Sequence, residues 1–399
     1  MTDRGPMRLA VIGDTQHYRD AEGRLCALEP VVAQLARWAC LFDEVVLCAP
    51  LDAGPPPVGF APYRATNLRI EPLVSAGGNT FTAKLGLLTH LAGWARRIRA
   101  VAREVDAVHL RCPCNIGLVA ILATRGVVRY RYAMFAGVWR HYPGEPWSFG
   151  LQRRLLASPR FGGPVSVYAS RDASRPHLEP SFSPSFSLQD WLAAEPHAVG
   201  KLRRIGDPDA REPWRLVTVG RLTENKNQAT VVRAVSRLHR QGLSVHLDLF
   251  GDGPMRPTLE QLARELGVED RVTFHGSVGH PRVLAAFADA DLHLLSTRQE
   301  GYGKVLLEGM MFATVPIFGD SPVAAEIAGD GARGLVFDPD DDAALAAHVR
   351  SLVDDRGRWT QMADAARRHT RDLTLDAFEE RVRDLLERHW DVSLARGER

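Results

Sequence analysis

DLHLLSTRQEGYGKVLLEGMMFATVPIFG (291–319) runs through an apolar strand, a glycine-bearing turn, a helix and a second apolar strand. Apolar runs of this length bounded by turn residues suit buried parallel strands, and the segment between them has helical spacing. Gly301 and Gly303 fall where the strand hands over to the helix, and glycine lets backbone N–H groups approach a ligand closely. The N-terminus of a helix adds roughly half a positive charge and forms a ready anion site. Lys304 lies at that N-terminus, where a cation is unwelcome unless an anion binds. Glu308 lies about one turn further in, on an otherwise apolar helix, where a carboxylate needs a partner. A ribose diol is a suitable one. The spacing of Glu300 and Glu308 alone is weak evidence, because many helical surfaces show it by chance.

The same rhythm extends in both directions. WRLVTVG (214–220) and SVHLDLFG (244–251) read as strands, each followed by a turn and a helix. RVTFHG (271–276) continues the series, and GLVF (334–337) closes it. Strands joined by helical crossovers form a parallel sheet covered on both faces. The first half alternates in the same way, with strands at MRLAVIG (7–13), EVVLCAP (44–50), AVHLRCP (107–113), VVRYRYAMF (127–135) and VSVYAS (165–170). Helices are expected at 30–41 and 81–105, and a last one at about 375–390. The span 171–213 is rich in Ser, Pro and charge and shows no long periodic segment. Three segments follow: an N-terminal domain over 1–205, a second over 206–374, and a terminal helix over 375–399 that crosses back to the first. A chain of 399 residues suits two such domains better than one core. Ligands of doubly wound sheets sit outside the carboxyl ends of the strands, so a cleft between two of them is the expected site.

Composition excludes several classes. A net charge of +2 gives no field for nucleic acid. Residues 1–200 carry 22 Lys and Arg against 16 Asp and Glu, and ordinary scatter explains the excess. No window approaches the roughly 20 apolar residues of a spanning helix. Cys26, Cys40, Cys48, Cys112 and Cys114 show no zinc-like spacing, which reads as a reduced cytoplasmic protein without a structural metal. The basic face of 94–105 leaves peripheral contact with the inner membrane face open, though a solvated helix explains it as well.

VGRLTENKN (219–227) places Arg221 and Lys226 directly after a strand. Arg grips phosphate oxygens through two N–H groups and Lys adds a flexible charge. Two surface cations in a polar turn are the plain alternative. The chain has only four lysines, Lys84, Lys201, Lys226 and Lys304, and two of them fall in these loops. After the strand ending at Gly276, the backbone of Ser277 and Val278 is free to read a flat base edge.

Taken in order, VGRL…NK, LFGDGP, VTFHG and EGYGKVLLEGM followed by a Val-Pro strand resemble the donor domain of the glycosyltransferase family 4 enzymes, which have the GT-B fold. The resemblance covers about 215–390. It implies an α/β architecture of two Rossmann-like doubly wound parallel-sheet domains facing across a cleft. It implies retaining transfer from a nucleotide-diphosphate sugar, serving as co-substrate with no cofactor and no metal. Arg221 and Lys226 resemble the diphosphate-binding pair. Glu308 resembles the carboxylate on the donor ribose, and Glu300 the acidic residue facing the transferred sugar. Gly301, Tyr302, Gly303 and Lys304 occupy the loop that cradles diphosphate and sugar, and Gly276, Ser277 and Val278 the base-binding turn. Glu300, Arg221 and Lys226 are therefore the catalytic candidates. The acceptor is a glycan, a lipid-linked molecule or a small molecule.

The first half departs from the family pattern. GDTQHYRDAEGR (13–24) lacks a Gly-Gly pair, and Phe135, Ala136 and Gly137 stand where many relatives carry a His. Ser321, Pro322 and Val323 likewise replace a Gly-Gly. Acceptor-side candidates are His17, Arg111, Asn115, Arg140 and His141, the last two in the aromatic loop GVWRHYPGEPW (137–147). His109 reads as a core residue. A nucleotide-sugar isomerase on a similar fold, or a partner subunit without an acceptor site, are the competing readings. The Arg221/Lys226 and Glu300/Glu308 set favours transfer over the isomerase; the missing His is what suggests the partner subunit, which donor binding without turnover would support.

Overall fold

The computed structural model of the protein describes residues 6–75, 81–168, 172, 174–207, 213–321 and 323–395. Residues 169 and 170 of the expected strand 165–170, Pro322, and most of the expected 206–213 junction lie outside them. The chain forms two compact units, Met1–Phe182 with Leu375–Arg399, and Ser183–Thr374.

The first unit contains β1 (Arg8–Ile12), β2 (Tyr18–Arg19), β3 (Leu25–Leu28), β4 (Glu44–Pro50), β5 (Phe60–Pro62), β6 (Leu68–Leu73), β7 (Ala107–Cys112), β8 (Tyr130–Phe135), β9 (Val165–Val167) and β10 (Leu178–Pro180). Seven of them form a parallel sheet in the order β10-β9-β8-β7-β1-β4-β6, and β2, β3 and β5 form a small antiparallel sheet. Residues of the central strands are apolar on both faces because both faces are covered. Ala10, Ile12, Val46, Val108 and Leu110 pack with Trp94 and Ile98 of helix Phe81–Ala102. His109 is fully buried, 4.2 Å from the Trp38 ring and 4.9 Å from that of Tyr132. Helix Leu375–Trp390 belongs to this unit, with Phe378 edge-on to Phe182 and Trp390 stacked on Tyr130.

The second unit contains β11 (Trp214–Val219), β12 (Val245–Phe250), β13 (Val272–Gly276), β14 (Leu292–Leu295), β15 (Val315–Gly319) and β16 (Leu335–Phe337), in the parallel order β13-β12-β11-β14-β15-β16. Helix Gln228–Arg240 buries Val231, Val232, Val235 and Leu238 and turns Arg233, Arg237 and Arg240 to solvent, the 3.6-residue period of a covering helix. In both units the order reverses beside the first strand, which makes β1/β7 and β11/β14 the switch points.

The division falls at Phe182/Ser183, not at the 205/206 junction read from composition. Two helices, Leu188–Ala193 and Glu195–Gly206, occupy the Ser/Pro-rich span and anchor on the second unit. Lys201 Nζ donates to the carbonyl of Phe287 at 2.8 Å and to Thr314 Oγ1 at 2.7 Å, and Arg204 pairs with the buried Asp291. Trp191 Nε1 donates to Thr370 Oγ1 at 3.1 Å. A buried lysine at the middle of its face hides the apolar period of Glu195–Gly206. Among the described residues no helix is long and apolar enough to cross a membrane.

Candidate functional site

The second unit's switch point is built by the loops after β11 and β14. The backbone leaves β11 at Gly220, whose N–H donates to the carbonyl of Phe250 at 2.9 Å. A Cβ on Gly251 would stand 2.0 Å from the Gly220 oxygen, so the Gly of LFGDGP is required by backbone crossing at contact distance. The loop ends at Asn227, left-handed at φ 51°, whose amide donates to the Pro339 carbonyl at 2.8 Å and Asp340 Oδ1 at 3.0 Å. Across the switch point, Ser296 Oγ donates to the Asn227 carbonyl at 2.7 Å and the Arg298 N–H to that of Asn225 at 2.9 Å. The two loops are thus stitched together by one side-chain and one backbone donor on backbone carbonyls.

That stitching sets Lys226 Nζ 2.6 Å from Glu300 Oε2, while Glu300 Oε1 accepts the Gly301 N–H at 3.2 Å. Both side chains keep a fifth to a quarter of their surface in solvent. A partly exposed pair contributes about 0–1 kcal/mol, so it orients the two groups more than it stabilises the fold. Arg221 is exposed and makes no ion pair among the described residues; its carbonyl accepts from Gln228 Nε2 at 3.0 Å and from the Thr223 N–H at 3.1 Å. Gly303 takes φ 75° and opens helix Lys304–Met311, whose Leu306 N–H donates to the Gly303 carbonyl at 2.8 Å. Tyr302 is 3% exposed, so its side chain packs inward. Lys304 is half-buried at the first helical position.

Glu308 is buried, and its Oε1 lies 3.1 Å from Nε2 of His280, the first residue of helix His280–Asp289. His280 closes the RVTFHGSVGH segment, yet nothing in its spacing ties it to a glutamate 28 residues on; only the fold joins them. Gly276 is left-handed at φ 72° and its carbonyl accepts the Gly251 N–H at 2.8 Å, which leaves Ser277, exposed, and Val278, half-buried, to present backbone groups. Beneath the loops, burial pushes His293 down to about 3, with the Lys226 charge adding to the effect, so it stays neutral.

The first unit treats its candidates unequally. His17 is 1% exposed, with Nδ1 2.8 Å from the Thr15 carbonyl and Nε2 3.1 Å from Tyr63 Oη. Burial pushes it down to about 4, so it is a neutral loop anchor and not an exposed acceptor contact. Arg111 donates from Nη1 to Gln34 Oε1 at 3.1 Å and lies against Gly13. Asn115 begins helix Asn115–Ala123 and lines a cavity of about 560 Å³ that also takes in Asp14, Thr15 and Gln16. Cys114 caps that helix, accepting the Gly117 N–H at 3.1 Å, and burial pushes its thiol up to about 12. Arg140 and His141 are exposed and line no part of that cavity. His141 Nδ1 meets Glu145 Oε2 at 2.8 Å, and the Arg153 guanidinium beside Glu145 holds its carboxyl below the usual range.

Two doubly wound parallel sheets, one with cations and carboxylates gathered at its switch point, define a GT-B-type protein. The family model of glycosyl transferases group 1 matches residues 206–369. A GDP-mannose-dependent alpha-(1-6)-phosphatidylinositol monomannoside mannosyltransferase of Mycobacterium tuberculosis is 30% identical over 268 residues, 62% of this chain and 68% of that one. Its counterpart in Mycolicibacterium smegmatis is 29% identical over 283 residues, 66% and 71% of the two chains. The crystal structure of Anabaena Alr3699/HepE in complex with UDP and glucose superposes with a TM-score of 0.66 at 15% identity, over 96% of this chain and all of that one. The chain belongs to the glycosyl transferases group 1 family and has the GT-B fold.

Proposed function

We propose that the protein is a retaining, metal-independent glycosyltransferase of family 4 that moves a sugar from a nucleotide-diphosphate donor to a hydroxyl acceptor. The observation that carries this is the 2.6 Å Lys226–Glu300 pair at the β11/β14 switch point, with exposed Arg221 on the same loop. Leaving-group departure builds negative charge on the diphosphate, and preorganised cations and N–H dipoles stabilise it where it develops. Arg221, Lys226 and the positive end of helix Lys304–Met311 take that role in place of a divalent ion. Glu300, already oriented by Lys226 and the Gly301 N–H, faces the sugar and supports its oxocarbenium-like charge. Glu308 holds the ribose, and the Ser277–Val278 backbone reads the base. In a same-face mechanism the departing phosphate takes the acceptor proton, so Glu300 forms no ester.

The relatives' GDP-mannose and the neighbour's UDP and glucose support a nucleotide-sugar donor. The test is binding and slow hydrolysis of UDP-, GDP-, ADP- and dTDP-sugars in EDTA, comparing the unsubstituted chain with Glu300→Ala and Arg221→Ala. One donor cleaved without metal, and lost in both variants, supports the reading. Cleavage that survives both substitutions, or that stops with EDTA, overturns it.

A further inference from the structure

The first unit has its own switch point, between β1 and β7, and the cavity of about 560 Å³ lies there. Its polar wall comes from the loop after β1, with Asp14, Thr15 and Gln16, and from Asn115 after β7. Leu28, Val31 and Phe60 form an apolar wall. Hydrogen-bonding groups on one side and an apolar surface on the other suit a ring carrying hydroxyls at its edge and C–H groups on its face.

Charge narrows the class of ring. In the second unit the loop after the central strand carries Arg221 and Lys226; in the first unit the loop after the central strand carries Asp14. Among the described residues lining the cavity, Asp14 is the one charged side chain. It is exposed to the cavity, yet surrounding protein strips enough water to raise its carboxyl above the usual range, against the weaker opposing effects of its own backbone N–H, Cys114 and Arg111. A carboxylate short of water gains from a hydroxyl or ammonium donor and is repelled by a phosphate. Arg111, whose charge acts on Asp14, does not line the cavity and donates to Gln34.

We propose that this cavity seats the acceptor as an unphosphorylated cyclic polyol, neutral or amine-bearing, with Asp14 accepting a hydrogen bond from its hydroxyl or ammonium and Asn115 a second contact. This names the acceptor class of the transferase reading above and rests on it, but its test does not need a donor. The full chain is titrated calorimetrically with 2-deoxystreptamine, myo-inositol and myo-inositol 1-phosphate. The expected order is aminocyclitol, then inositol, with the phosphate at least tenfold weaker than either. Asp14→Asn weakens the aminocyclitol about tenfold or more, the size of one charge-assisted hydrogen bond, and Asn115→Ala weakens both unphosphorylated ligands. Equal or tighter binding of the phosphate overturns the proposal. So does unchanged binding in folded Asp14→Asn and Asn115→Ala variants, or no binding of any of the three. Nucleotide-sugar binding is measured on the same samples. Its loss with Asp14-dependent polyol binding intact sinks the transferase reading alone, and the reverse sinks the acceptor assignment alone.

Discussion

Glu308 Oε1 and His280 Nε2 lie 3.1 Å apart, so the buried carboxylate of helix Lys304–Met311 is held by the first residue of helix His280–Asp289. His280 contacts Glu308 and so positions the group proposed to hold the ribose. Replacing it by Ala removes one partner of a buried carboxylate, a loss of about 1–3 kcal/mol. A ribose contact is made equally in the bound and transition states, so its weakening raises KM and leaves kcat nearly unchanged. The expected outcome for His280→Ala is a donor KM raised by about tenfold or more, with kcat within a few-fold and partial rescue by His280→Gln, whose amide can still donate. A fall in kcat at constant KM contradicts the assignment.

Lys226 and Glu300 make a different kind of pair. Because it is partly exposed, breaking it costs the fold about 1 kcal/mol or less. Its loss from a transition state costs far more: Lys226→Met is expected to slow transfer roughly 10²–10³-fold. Thermal melts beside single-turnover rates separate the two effects. A melt lowered in proportion to the rate means that Lys226 is structural.

Gly251 is where a chemically mild change disrupts the loop after β11. A Cβ there meets the Gly220 oxygen at 2.0 Å, at a φ of 132° that L side chains rarely adopt. Gly251→Ala must push apart the turns after β11 and β12 and is expected to cost about 2–4 kcal/mol, as backbone strain at special φ/ψ does. Gly242→Ala, also at positive φ but with open space around its Cβ, is the control and is expected to cost about 1 kcal/mol. Equal losses in urea denaturation show that backbone conformation, not crowding, sets the cost.

The layout of the second unit was legible in the sequence because its signals are local. Each of its loops follows an apolar strand, and Arg221, Lys226, Glu300 and Gly303 stand where strand ends put them. The pairing of Glu308 with His280 was not legible, since it joins two helices that only the sheet order brings together. In the first unit, side-chain type misled. His17 sits in a loop with a titratable ring, which reads as a site, but it faces Tyr63 in the interior. Asp14, three residues earlier and beside a cavity, is not legible in the sequence, because one aspartate after a strand has no spacing to recognise. The unit boundary was misplaced for a related reason: Lys201 breaks the apolar face of a helix whose partners, Phe287 and Thr314, are remote in sequence.

His17 also dictates a pH response. In the unfolded chain its pKa is near the ordinary 6.5, and in the folded unit burial lowers it to about 4. Between those values the unfolded state binds more protons, so stability rises with pH there. Equivalently, the stability is complete above pH 6.5 and is lost as pH falls toward 4. His369, also near 4, and His293, near 3, act in the same direction. Each histidine contributes a slope on the order of 1 kcal/mol per pH unit within its window. His17→Asn gives up the hydrogen bonds to Thr15 and Tyr63, so it is less stable by about 1–2 kcal/mol at pH 8. It also removes one titrating group, so its stability declines less steeply from pH 6.5 to 4. Urea denaturation followed by circular dichroism across that range checks both effects. Parallel pH profiles for variant and parent contradict the lowered pKa, because they mean that His17 binds its proton equally well in the folded and unfolded chains.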